Sequence, residues 1–98
     1  MKDTIRNLIE SSPVPCGSTD GTPETDKPVL FRGIHLGSGW TWTAYEADPV
    51  EMDDILCFGR VDGFESELGY FSLDELLANG VVIQINAENL LTQGETVL

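Results

Sequence analysis

Residues able to do chemistry are scarce in this chain, and carboxylates dominate them. Seventeen Asp and Glu stand against five Lys and Arg, giving a formal net charge of −12 with the histidine neutral. Residues 46 to 75 hold ten of the carboxylates and one base, Arg60, after which no Lys or Arg occurs. Such groups serve metal ligation, acid–base catalysis or recognition of a basic partner. Asp48, Glu51, Asp53 and Asp54 are close enough in sequence for a calcium loop. They lack its D-x-D-x-D-G order and its bidentate glutamate at the last position. A solvated acidic loop fits them better. Catalysis is short of parts: His35 is the only histidine, and neither a G-x-S-x-G turn nor a glycine-rich phosphate loop occurs. A Cys57–His35 pair on neighbouring strands is conceivable, but nothing supplies a third group to orient it. The chain is expected to be no enzyme and to use no cofactor or metal; a small metal-binding or hydrolytic protein is the least favoured reading.

Recognition of a basic partner remains. Binding phosphates directly requires a basic footprint, which is missing, so nucleic acid and anionic membranes are poor partners. A basic protein that itself binds nucleic acid is a good one. Like charges this dense repel and lower stability, which implies a reason for keeping them. Carboxylates displayed along strands and loops can stand in for phosphates in a basic groove. The residues expected to make that contact are Glu51, Asp53, Asp54, Asp62, Glu65 and Glu67, with Tyr45 as an aromatic anchor. The competing reading gives the acidity to solubility alone.

These groups must be held by one domain, spanning residues 1–98, whose 41% hydrophobic content suits a folded core. No apolar run approaches the roughly 20 residues that span a bilayer. No leader with an apolar stretch and cleavage site is visible in the first residues, so a cytoplasmic location is expected. Cys16 and Cys57 are far apart and read as reduced thiols.

Asp3 or Thr4 is expected to cap a helix running to about Ser11, with Ile5, Leu8 and Ile9 on one side. Residues 11–27 are rich in Ser, Thr, Pro, Gly and acids and read as a turn-rich loop with scope for mobility. Strands are expected over Pro28–Leu36 and Trp40–Ala47, joined by Gly37-Ser38-Gly39 as a hairpin. Asp48-Pro49 is expected to break the second strand and open the acidic loop. A third strand spans Ile55–Phe64, in which Gly59 and Gly63 mark a bulge or close backbone approach. Glu65-Ser66-Glu67 reads as a turn, and Leu68–Phe71 as a fourth strand. Ser72-Leu73-Asp74-Glu75 is a capping box opening a helix, stopped by Asn79-Gly80. Val81–Ile85 reads as a fifth strand, with a short helical or irregular piece near Asn86–Leu91. The fold class is therefore α+β: a mainly antiparallel sheet of four to five short strands, an N-terminal helix and a helix after strand four. Trp40 and Trp42 share one strand face. They form either a core layer or an exposed binding patch.

Gly39-Trp40-Thr41-Trp42, Phe58-Gly59-Arg60-Val61-Asp62-Gly63-Phe64-Glu65 and Glu67-Leu68-Gly69-Tyr70-Phe71-Ser72-Leu73 with Glu75-Leu76 resemble the family named domain of unknown function 2958. The likeness covers Trp40 to Leu77, while both ends depart from the family pattern. No activity comes with the resemblance. It implies a setting on plasmids, phages and other mobile elements, where small acidic proteins act as inhibitors of host defence, restriction enzymes and CRISPR effectors included. The expectation is an acidic inhibitor of a nucleic-acid-binding defence protein. The alternative is an accessory interaction module that does not mimic nucleic acid.

Overall fold

The computed structural model describes residues 2–50 and 54–85. In chain order the elements are α1 (Lys2–Ser11), β1 (Phe31–Ile34), β2 (Thr41–Val50), β3 (Asp54–Asp62), β4 (Ser66–Ser72), α2 (Leu73–Ala78) and β5 (Val82–Ile85). The strands form one sheet in the order β4-β3-β2-β1-β5, with every neighbouring pair antiparallel. The α+β reading holds, with a helix at the N-terminus and another after the fourth strand. The piece expected near Asn86–Leu91 lies outside the described residues.

Both helices cover one face of the sheet. Ile5 and Ile9 of α1 and Leu73 and Leu76 of α2 share a core with Phe31, Ala44, Ala47, Ile55, Cys57, Phe71 and Ile83. Lys2 ties the helices together through Asp74 at 2.9 Å. Phe31 is fully buried at the centre of this layer, where truncation to alanine typically costs about 3–5 kcal/mol. α1 begins at Lys2, so Asp3 lies in the first turn instead of capping it. There the helix dipole still favours its charge.

Three local expectations are corrected. Asp48-Pro49 does not end the second strand: β2 runs to Val50, with Asp48 opposite Leu56 and Pro49 opposite Ile55. β1 stops opposite Ala44, and beyond it the Ala47 amide points outward to the Val14 carbonyl at 2.8 Å. Two residues on, the nitrogen of Pro49 faces that same outer side, where no ladder bond has to be made. The turn after β3 falls on Gly63-Phe64-Glu65, closed by the Gly63 amide donating to the Glu65 carbonyl, not on Glu65-Ser66-Glu67. Phe64, expected at the end of a strand, is therefore at a turn apex. The first strand is shorter than expected, since it begins at Phe31 and ends at Ile34.

Gly59 and Gly63 mark close approaches, while the bulge lies across from Gly59 on β2, and it sets which side chains reach each face of the sheet. The β2–β3 register slips between Ala44 and Glu46, so Tyr45 is the extra residue. A Cβ on Gly59 would lie 1.8 Å from the Thr43 carbonyl oxygen, so only glycine admits this approach. The slip returns Ala47 to the helix-covered core while Tyr45 and Glu46, adjacent in sequence, both meet the segment that crosses the other face.

Candidate functional site

That segment is 12–27, and the structure makes it a strap. Glu46 is 1% exposed and accepts hydrogen bonds from the amides of Gly17 at 2.5 Å and Thr19 at 3.2 Å, and from the Thr19 hydroxyl. Lys27, itself buried, lies 3.8 Å from the carboxylate and donates to the Thr19 carbonyl at 2.7 Å. Burial works to raise the Glu46 pKa, but the Thr19 and Gly17 hydrogen bonds and Lys27 outweigh it. The carboxyl titrates below the usual range. Farther along, Glu24 takes a fork of bonds from Arg60, Nε at 2.6 Å and a terminal nitrogen at 2.5 Å, and the Tyr45 hydroxyl at 2.7 Å. The Arg60 bonds, then the Tyr45 bond, hold the Glu24 carboxyl down to about 2. Burial and then Glu24 push the Tyr45 phenol up to about 12.

This geometry redistributes the residues expected at a partner surface. Tyr45 is 7% exposed and anchors the strap, which takes it off the outer surface. Asp54 caps α2: it accepts from the Ser72 hydroxyl at 2.5 Å, the Asp74 amide at 3.0 Å and the Ile55 amide at 2.7 Å. Burial opposes the charge on Asp54, but these bonds prevail and lower its pKa. Glu51 and Asp53 lie outside the described residues. Asp62, Glu65 and Glu67 are brought together at one end of the sheet, where Glu65 and Glu67 are exposed. Asp62 accepts from Ser66 and lies 3.4 Å from the Thr41 hydroxyl. Arg60, the base nearest in sequence, is already committed to Glu24 and Ser66.

The carboxylate end also carries aromatic surface. Phe64 is 95% exposed, and its ring meets Trp40 edge-on, with centroids 5.3 Å apart. A Cβ on Gly63 would come within 2.7 Å of three Trp40 ring atoms, so the indole lies against the glycine backbone. Leu36, in the adjacent β1–β2 hairpin, is also exposed. The tip is thus an apolar knob beside Asp62, Glu65 and Glu67. Phe64 was expected to end a strand, not to form a surface; Gly63 followed within two residues by Glu65 was the available signal for a turn.

Trp40 and Trp42 divide between core layer and exposed patch. Trp42 packs against the core, while Trp40, 6.2 Å away between ring centroids, reaches the tip. Together with His35, Glu75 and Asn79 they line a cleft of about 320 Å³ between the hairpin and α2, floored by Leu76 and Val81. The Ser72 hydroxyl accepts from the Glu75 amide at 3.2 Å as a capping box requires. The reciprocal bond from Glu75 is not made: Asp54 holds the Ser72 hydroxyl and the Asp74 amide, and the Glu75 side chain makes no hydrogen bond or ion pair among the described residues.

The cysteine chemistry is not assembled. Cys57 sits opposite Ala47, whereas His35 lies just past the Ile34–Thr41–Asp62 row, five residues along β3, or about 16 Å at strand rise. Both cysteines are free. Burial, then Asp48, raises the Cys16 thiol to about 11, and burial pushes Cys57 up as well. Thiols held this way are poor nucleophiles. No three His, Cys, Asp or Glu among the described residues are grouped to hold a metal ion. No described helix is long and apolar enough to cross a membrane. Comparison with protein families, with curated proteins and with solved structures finds no match to this chain.

Proposed function

We propose that this chain is a non-enzymatic binding protein whose acidic tip occupies a basic, nucleic-acid-binding surface of a host defence protein. On this reading it is an inhibitor carried by a phage or other mobile element and works in the host cytoplasm. The observation that supports it is the division of charge. Lys2, Lys27 and Arg60 are each paired with a carboxylate that ties one element of the fold to another. Asp62, Glu65 and Glu67 are instead gathered at the tip, with no cation bound to them among the described residues. A field of one sign concentrated at a protrusion steers association with a surface of the opposite sign. The setting belongs to the same proposal and rests on the resemblance read from the residues of Trp40–Leu77 alone.

Phe64 and Leu36 favour a second reading, an accessory module that docks through the apolar knob without mimicking nucleic acid. Two variants separate the readings. Mimicry predicts that nucleic-acid-binding proteins captured from host lysate elute at modestly raised salt, are displaced by duplex DNA, and are lost from Glu65→Lys/Glu67→Lys while Phe64→Ser retains part of the binding. If the charge-reversed protein captures the same partner as well as the parent does, mimicry is wrong. Loss confined to Phe64→Ser would then favour the accessory module.

A further inference from the structure

We infer that the cleft between the β1–β2 hairpin and α2 is a binding site for an organic cation of guanidinium or alkylammonium type. Three independent features converge on it. Its wall is aromatic: Trp40 and Trp42 are held 6.2 Å apart and tilted by 40°, and indole faces are the best aromatic surfaces for a cation. Its charge is a carboxylate without a partner among the described residues. Glu75 does not close the capping box with the Ser72 backbone amide; its side chain is exposed and lines the cleft. The third feature is that nothing positive competes. None of the lining residues is Lys or Arg. The Nδ1 of His35 is taken up by Ser38, whose amide lies 3.2 Å away and whose hydroxyl lies 2.7 Å away.

The size suits one such head group. A volume of about 320 Å³ is at the lower end for ligand sites. The apolar floor of Leu76 and Val81 would carry the methylene stem of a side chain while the charge meets Glu75. An anion would face Glu75 directly, and a neutral amide would gain neither the cation–π attraction nor the ion pair. The cation can come from a partner's Arg or Lys or from a small free molecule. In the first case the site deepens the proposed function by giving the basic partner a second, specific contact beside the tip.

The test needs no partner, so its outcome is independent of whether the tip mimics nucleic acid. The indole N–H resonances of Trp40 and Trp42 are followed by NMR at fixed ionic strength during titration with N-acetyl-arginine methylamide, its citrulline counterpart and tetramethylammonium. Saturable shifts of both indoles with the arginine compound are expected, with citrulline at least tenfold weaker. Glu75→Gln, which preserves the helix, should weaken binding about threefold, the scale of one half-exposed ion pair. Tighter binding of the arginine compound than of tetramethylammonium assigns the site to a protein side chain, and the reverse order to a small free cation. Equal response to citrulline, shifts that never saturate, or shifts centred on Asp62 and Glu65 and unchanged in Glu75→Gln would overturn the inference.

Discussion

The strap face and the tip use the same residue type in opposite ways. At the strap, Glu24 and Glu46 are matched by Arg60, Lys27, Tyr45 and backbone amides, so their charge holds the fold together. At the tip, Asp62, Glu65 and Glu67 meet hydroxyls or solvent, and their charge works against the fold through repulsion. A net charge read from composition averages these two populations and hides the difference between them. Only the second population is available to a partner.

The largest effect that could break this contrast lies at Glu46. Replacing it with alanine strips the Gly17 and Thr19 amides of their acceptor and leaves buried Lys27 without its counter-charge. Removing one partner of a buried pair typically costs about 3–5 kcal/mol, against a total of about 5–15 kcal/mol for a domain. Denaturant unfolding of Glu46→Ala should show a loss on that scale. A change below about 1 kcal/mol, the scale of an exposed ion pair, would mean that the strap is not held by this carboxylate.

A smaller effect comes from acid. Glu24 has its folded pKa depressed, from 4.5 to about 2. Its contribution is therefore complete above pH 4.5 and is lost as pH falls through that window towards 2. Glu46 is shifted in the same direction and adds to the trend. Stability measured by urea unfolding should fall between pH 4.5 and 2, and the fall should be shallower in Glu24→Gln. An identical slope in the variant would remove Glu24 from the groups that hold the strap.

How much of the molecule was legible in the sequence depends on how local each cause is. The helix after β4, the hairpin and the sheet class arise from short-range patterns, and all appear. Glu46 was not legible as a structural residue. Its burial requires a one-residue bulge at Tyr45, itself licensed by Gly59 on another strand, and a strap that closes over it from residues 17–27. Asp54 was misassigned for a related reason. Ser72 to Glu75 has the spacing of a self-sufficient capping box, and nothing local reveals that a carboxylate 18 residues upstream binds the Ser72 hydroxyl and the Asp74 amide of the same helix start. Pro49 misled because a proline breaks a strand only where its missing donor is needed.

The smallest effect on folding is expected at the tip, and there the contrast becomes sharpest. Glu65 and Glu67 are exposed and make no hydrogen bond or ion pair with Arg60, whose guanidinium is held by Glu24 and Ser66. Surface substitutions of this kind usually stay within about 0.5 kcal/mol. Reversing two like charges in an acidic cluster relieves repulsion, so the sign should be neutral to stabilising. Thermal unfolding of Glu65→Lys/Glu67→Lys at low salt should match or exceed the parent, and the difference should shrink as salt screens the cluster. A clear destabilisation would place these carboxylates in the same structural class as Glu46. Retained stability with lost partner binding would separate the two classes, since a group that the fold does not need has its consequence outside the molecule.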